Sequence, residues 1–139
     1  MDVKAQKSED IIAGIKSVAT KYTEEAYNCY TLGNFSEASK YFEKAAAVSF
    51  ENTSKLDGET IYNAGFTAMM ASDNDRAKEF FNKSIEAGYE GESGEVYAKL
   101  ADIAGNEGKE EEQKNYLEAG FAKYPQSQGI LVGLINYYV

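Results

Sequence analysis

Ile61-Tyr62-Asn63-Ala64-Gly65, then Ser72-Asp73-Asn74-Asp75, then Ala77-Lys78-Glu79-Phe80-Phe81: the stretch from Ile61 to Ile85 decides how this chain folds. Apolar residues on each side of the polar break recur at steps of three and four, the spacing that lines them up along one face of a helix. Two such segments around a short polar turn read as an antiparallel helical hairpin. The same spacing recurs twice. Its landmarks Ile61, Gly65, Ala77 and Phe81 become Tyr22, Ala26, Ala38 and Phe42 on one side, and Tyr97, Ala101, Gln113 and Leu117 on the other. With Gly33, Ser72 and Gly108 at the turns, the units start near residues 19, 58 and 94, separated by 39 and 36 residues.

The flanking chain fits the same scheme. Ile11, Ile12, Ile15, Val18, Tyr22, Ala26, Cys29 and Tyr30 predict a long first helix, with Ser8 as its N-cap and Glu9 and Asp10 favouring the positive end of its dipole. Gly33 supplies the left-handed conformation that ends a helix. Ser36 and Glu37 restart the chain. Asp73-Asn74-Asp75 has the acidic start of a calcium loop but then runs into Ala77 and Lys78 where ligand and glycine are required, so it reads as a helix cap. Glu110-Glu111-Glu112 reads as a solvated first turn. Pro125 closes the third unit, and Leu131, Leu134, Ile135 and Tyr138 mark a last amphipathic helix. The expected organisation is one domain over 1–139: a first hairpin at 8–50 with an extended N-terminal helix, a second at 57–89, a third at 93–125, and a half-unit at 127–139.

Composition narrows the functional classes. The 139 residues carry 14 Lys+Arg against 23 Asp+Glu, a formal charge of −9 that repels phosphate backbones and anionic lipid, so nucleic acid is not an expected partner. No apolar run approaches the ~18 residues needed to span a bilayer. The single cysteine, Cys29, reads as a small packed hydrophobe. No histidine is present, which removes the commonest base and metal ligand, and no nucleophile or phosphate-binding glycine loop accompanies the carboxylates. A pair such as Glu59 and Asp102 could face one groove, but exposed helix acids mainly solubilise. The expectation is a non-enzyme with no cofactor and no metal.

At this point the chain resembles the tetratricopeptide repeat family, whose unit is a helical hairpin with a large residue early in the first helix, small residues where the helices cross, an aromatic in the second and often a closing proline. The resemblance covers roughly residues 19–139. Tyr22, Ile61, Tyr97 and Leu131 hold the large position; Ala26, Gly65 and Ala101 hold the small one, with Ile135 in the last unit. Glu25 and Ala64 depart from the leucine that Leu100 and Leu134 supply, and only Pro125 fills the closing position. The resemblance implies an all-α, right-handed superhelix of three hairpins plus a C-terminal half-repeat. More loosely, the Ile61–Gly65 run and the closing Leu131–Tyr138 run look like those of exported bacterial members. This implies a periplasmic or cell-envelope protein, with the cytoplasm as the other location.

First helices of such arrays line a groove for extended peptides or helices. Carried over by position, the groove residues here are Tyr27, Tyr30, Tyr62, Asn63, Phe66, Met69, Lys99 and Asp102, with Thr23, Thr31 and Met70 beside them. Aromatic and methionine side chains suit adaptable apolar recognition. Tyr27, Met69 and Met70 could equally pack between neighbouring helices. Members that clamp a chaperone's C-terminal carboxylates carry Lys and Asn in the first unit, Asn in the second, and Lys and Arg in the third. The positions here hold Thr23, Tyr27, Asn63, Glu95 and Lys99, and Glu95 would repel a carboxylate. The expected partner is a protein or peptide, neutral to basic and partly apolar. The alternative is a self-association or assembly module of a larger cell-envelope protein. Ile130-Leu131-Val132, Leu134-Ile135 and Tyr137-Tyr138 leave apolar surface on the last helix, for a homodimer or for further chain beyond Val139.

Overall fold

The computed structural model describes the backbone of residues 3–139 and the side chains of residues 17–51 and 53–139. Among the described residues the chain is all-α: α1 (Val3–Thr31), α2 (Phe35–Thr53), α3 (Gly58–Met70), α4 (Asn74–Glu86), α5 (Glu95–Asn106), α6 (Glu110–Lys123) and α7 (Gln128–Tyr138). Contacts gather the helices into two units, Met1–Ala87 with α1 to α4 and Gly88–Val139 with α5 to α7. In the first unit α1 packs on α2, α2 on α3 and α3 on α4. In the second, α5 packs on α6, and α7 lies against both.

Each hairpin turns by the same device. A left-handed residue, Gly33 (φ +80°), Ser72 (φ +62°) or Gly108 (φ +76°), follows the first helix. The next backbone N–H then reaches back five residues: Asn34 to the Cys29 carbonyl (2.8 Å), Asp73 to Ala68 (2.9 Å) and Lys109 to Ala104 (2.8 Å). This closes carbonyls that a helix end leaves open. Asp73 also accepts from the Arg76 N–H at 3.2 Å, so its carboxylate caps α4. Asp57 caps α3 in the same way, accepting from Thr60 N–H at 3.2 Å and from the Thr60 hydroxyl at 2.8 Å.

One boundary differs from expectation. α1 begins at Val3, so Ser8 lies inside the helix instead of capping it. Val3 to Lys7 contains neither Gly nor Pro and is rich in good helix formers, so nothing stops the helix before Ser8. The side chains of Ser8, Glu9, Asp10, Ile11, Ile12 and Ile15 lie outside the described residues.

The second hairpin shows why small residues alternate with phenylalanines. Ile61, Ala64, Gly65, Ala77, Phe80 and Phe81 are all buried. A methyl group on Gly65 would lie 2.8 Å from Phe81 Cδ1 and 3.3 Å from Phe80 Cβ, so α3 and α4 approach more closely there than an alanine permits. A polar tie joins the two hairpins of this unit. The fully buried Ser39 of α2 donates its hydroxyl to the Ala64 carbonyl of α3 at 2.8 Å and accepts from Arg76 Nε of α4 at 3.0 Å. Arg76 lies against the Phe80 ring and ion-pairs with Glu43 at 3.2 Å.

Gly65→Ala is expected to destabilise the protein by about 1–3 kcal/mol in urea unfolding, because the overpacking outweighs the ~1 kcal/mol that alanine gains over glycine in a helix. A stabilised variant would contradict the close contact. Phe81→Ala is expected to cost about 3–5 kcal/mol.

Candidate functional site

In the first unit, the crevice between α1 and α3 opens into a pocket of about 240 Å³ lined by Tyr27, Tyr30, Phe42, Asn63, Phe66 and Thr67. Tyr27 and Tyr30 come from the last two turns of α1, Asn63, Phe66 and Thr67 from the middle of α3, and Phe42 from α2. The walls are held by ring contacts. Tyr27 meets Phe42 edge-on at 5.3 Å between centroids, Tyr30 meets Phe35 at 5.5 Å, and Tyr30 meets Phe66 across the crevice at 6.4 Å. Aromatic contacts of this geometry add roughly 0.5–1.5 kcal/mol each beyond area burial, which steadies the pocket walls against one another. Even so, Tyr27 and Tyr30 remain 54% and 40% exposed, a large amount of aromatic surface facing solvent.

Thr67 is almost fully buried and its hydroxyl proton is spent within α3, donated to the Asn63 carbonyl at 2.8 Å. The other residues of the lining that carry polar groups are Asn63, Tyr27 and Tyr30. The arrangement can seat an apolar side chain and hydrogen-bond the backbone that carries it.

Farther toward the N-terminal ends of α1 and α3, the crevice holds a second pocket of about 340 Å³, lined by Ala19, Thr20, Thr23, Ala45, Ser49, Asp57 and Thr60. Ala45 and Ser49 lie one and two turns beyond Phe42 on α2, so one helix floors both pockets.

Of the eight residues expected from sequence, the structure brings Tyr27, Tyr30, Asn63 and Phe66 around one pocket. Tyr62 is half-buried and packs on Phe81 at 5.6 Å and Phe66 at 6.4 Å, as part of the wall behind the crevice. Met69 is half-buried and does not line the pocket; Met70 is exposed. Lys99 and Asp102 lie on α5 in the second unit, one turn apart. There burial pushes the Asp102 carboxyl above its usual value, against the opposing charge of Lys99. Sequence reasoning missed Phe42, taken only as core, and Thr67. It also missed Asp57, Thr60 and Thr20 as groove residues. Helical spacing was the available signal, since Thr67 is one turn beyond Asn63 and Thr60 nearly one turn before it.

The second unit carries a different cluster. Glu90, in the connector before α5, accepts hydrogen bonds from the Tyr97 hydroxyl, from Lys123 Nζ at 2.9 Å and from the Tyr124 hydroxyl at 3.2 Å. Its carbonyl accepts from Val96 N–H at 3.3 Å. Gly94 is required beside it: its φ is +74°, and a side chain there would run into the Tyr124 ring. Burial alone would raise the Glu90 carboxyl, but the three hydrogen bonds and the Lys123 charge together outweigh it and hold the group below the usual 4.5. Burial and the Glu90 hydrogen bond push both tyrosines above their usual 10.0. With its oxygens engaged by donors of its own chain, Glu90 ties the connector to α5 and to the end of α6. Among the described residues, no group of three or more Cys, Asp or Glu side chains is placed to hold a metal ion.

Two stretches of the chain, residues 19–52 and 94–121, match the family model of the tetratricopeptide repeat; together they make up less than half of its length. They take in the C-terminal part of α1 with nearly all of α2, and α5 with most of α6, the hairpins on either side of α3–α4. No curated protein matches the chain.

Because the folded pKa of Glu90 is depressed, its stabilising contribution is present above the usual glutamate value and is lost as pH falls through the lowered one. Thermal unfolding followed from pH 7 down to pH 3 is expected to show a larger acid loss for the native chain than for Glu90→Gln. Equal acid slopes would contradict the tie.

Proposed function

We propose that this all-α tetratricopeptide-type helical repeat is a non-catalytic scaffold that binds a peptide or protein partner, and that the α1–α3 crevice of the first unit receives it. The observation that carries this reading is the aromatic pocket with two exposed tyrosines in its lining. Tetratricopeptide repeats generally mediate contacts between proteins. The two exposed tyrosines stand beside a half-buried Phe66 and a buried Phe42, and grouped aromatic surface of this kind supplies the anchors that dominate binding energies at interfaces. The net charge of −9 favours a partner that is neutral to basic around its apolar anchor.

A second reading rests on α7. Its Val132, Ile135 and Tyr138 are 54%, 60% and 63% exposed, and Phe121 of α6 is also open, which favours self-association through this helix.

Two variants separate the readings. Tyr30→Ala removes exposed pocket wall and is expected to weaken partner binding about tenfold or more; losing its ring contacts with Phe35 and Phe66 lowers the unfolding midpoint by several degrees while the chain stays folded at the binding temperature. An unchanged affinity would overturn the crevice reading. Ile135→Lys places a charge on the open face of α7. A sedimentation coefficient that falls to the monomer value in this variant alone supports self-association, and a native chain that is already monomeric overturns it.

A further inference from the structure

The crevice holds two pockets of different chemistry, side by side on one floor. The first is aromatic, and about 240 Å³ is informative. A dry cavity of about 150 Å³ admits benzene, whereas sites for small-molecule ligands run from about 300 to 1,000 Å³. The aromatic pocket therefore has room for one phenyl or branched aliphatic side chain and little else.

The second pocket has a polar rim of Thr20, Thr23, Ser49 and Thr60, one carboxylate, Asp57, and no basic residue. Asp57 uses one lone pair of each oxygen on Thr60, through the backbone N–H and the hydroxyl. A carboxylate oxygen accepts from more than one donor, so both oxygens can still receive an ammonium or guanidinium.

The separation of the pockets follows from helix geometry. On α3, Asp57 and Thr60 precede Asn63, Phe66 and Thr67 by about seven residues, and at 1.5 Å per residue the pocket centres are about 10 Å apart. The residues on α1 give a similar figure. An extended peptide in polyproline II geometry rises about 3.1 Å per residue with three residues per turn, so residues i and i+3 project from the same side about 9.3 Å apart.

We infer that the crevice recognises a short extended segment in which one aromatic or branched aliphatic residue and one lysine or arginine are spaced i, i+3. The apolar side chain fills the Tyr27–Phe66 pocket, and the cation reaches Asp57. This rests on the crevice being the partner-binding surface and adds what it selects. Asn63 of the aromatic pocket lies about one turn beyond Thr60 of the second on α3, and its amide would hydrogen-bond the backbone between the two anchors.

Titration of the ¹⁵N-labelled full chain with blocked hexapeptides tests this. The probes are Gly-Phe-Pro-Ser-Lys-Gly, the same peptide with Glu for Lys, the same with Ala for Phe, and the reversed order Gly-Lys-Ser-Pro-Phe-Gly. One of the two Phe/Lys orders is expected to shift the amides of Tyr27, Asn63, Phe66 and Thr60 together and to bind about tenfold tighter than the Glu or Ala peptide. Asp57→Asn keeps a good N-cap residue for α3 and is expected to abolish the preference for Lys over Glu without changing the unfolding midpoint by more than a few degrees. If the Lys and Glu peptides bind the native chain equally while the Ala peptide does not, the paired recognition is overturned and the aromatic crevice stands. If no Phe peptide shifts Tyr27, Asn63 or Phe66, both fall.

Discussion

The close approach of α3 to α4 at Gly65 and Phe81 is the contact on which the first unit depends. The space that a side chain at Gly65 would need is taken by a fully buried phenylalanine ring. That seating brings Ile61 and Ala64 onto the face shared with α2, and it leaves Asn63, Phe66 and Thr67 turned toward α1. Since core packing tolerates little volume change, the crevice on the far side of α3 inherits its width from this contact. A helix pair held further apart would open the pocket or close it.

Two polar ties supplement the packing, and they serve different parts of the fold. Ser39 with Arg76 and Glu43 joins consecutive hairpins, satisfying a buried hydroxyl at both its donor and its acceptor sites. Glu90 with Tyr97, Lys123 and Tyr124 secures a glycine-punctuated connector whose backbone offers little conformational preference of its own. Both ties place charge where it organises the backbone, away from the aromatic crevice. That separation leaves the Tyr27–Phe66 pocket of the crevice largely apolar despite the acidity of the chain.

Most of the architecture was legible because it is periodic. Steps of three and four fix which face each helix buries, and a left-handed residue at each turn fixes where the hairpin reverses. Gly33, Ser72 and Gly108 could therefore be placed from sequence, though Ser72 does the work of a glycine. What has no period was not legible. Arg76 lies 37 residues from Ser39, and Tyr124 lies 34 from Glu90; no local pattern announces such pairs. The site was half legible for the same reason. Tyr27, Tyr30, Asn63 and Phe66 follow from the outward face of the first helices, but Phe42 belongs to a second helix and serves core and pocket at once. Lys99 and Asp102 occupy repeat-equivalent positions, yet they belong to another unit, where periodicity says nothing about which residues share a pocket.

The measurement that bears most directly on this account is site-specific photo-crosslinking in the native host, with p-benzoylphenylalanine replacing Tyr30 in the crevice or, as a control, the exposed Glu79 of α4. A discrete crosslinked partner is expected from position 30, with a lower yield when Asp57 is also replaced by Asn, and none from position 79. The same adducts from both positions, or none from position 30 while the chain still assembles with a partner, would contradict it.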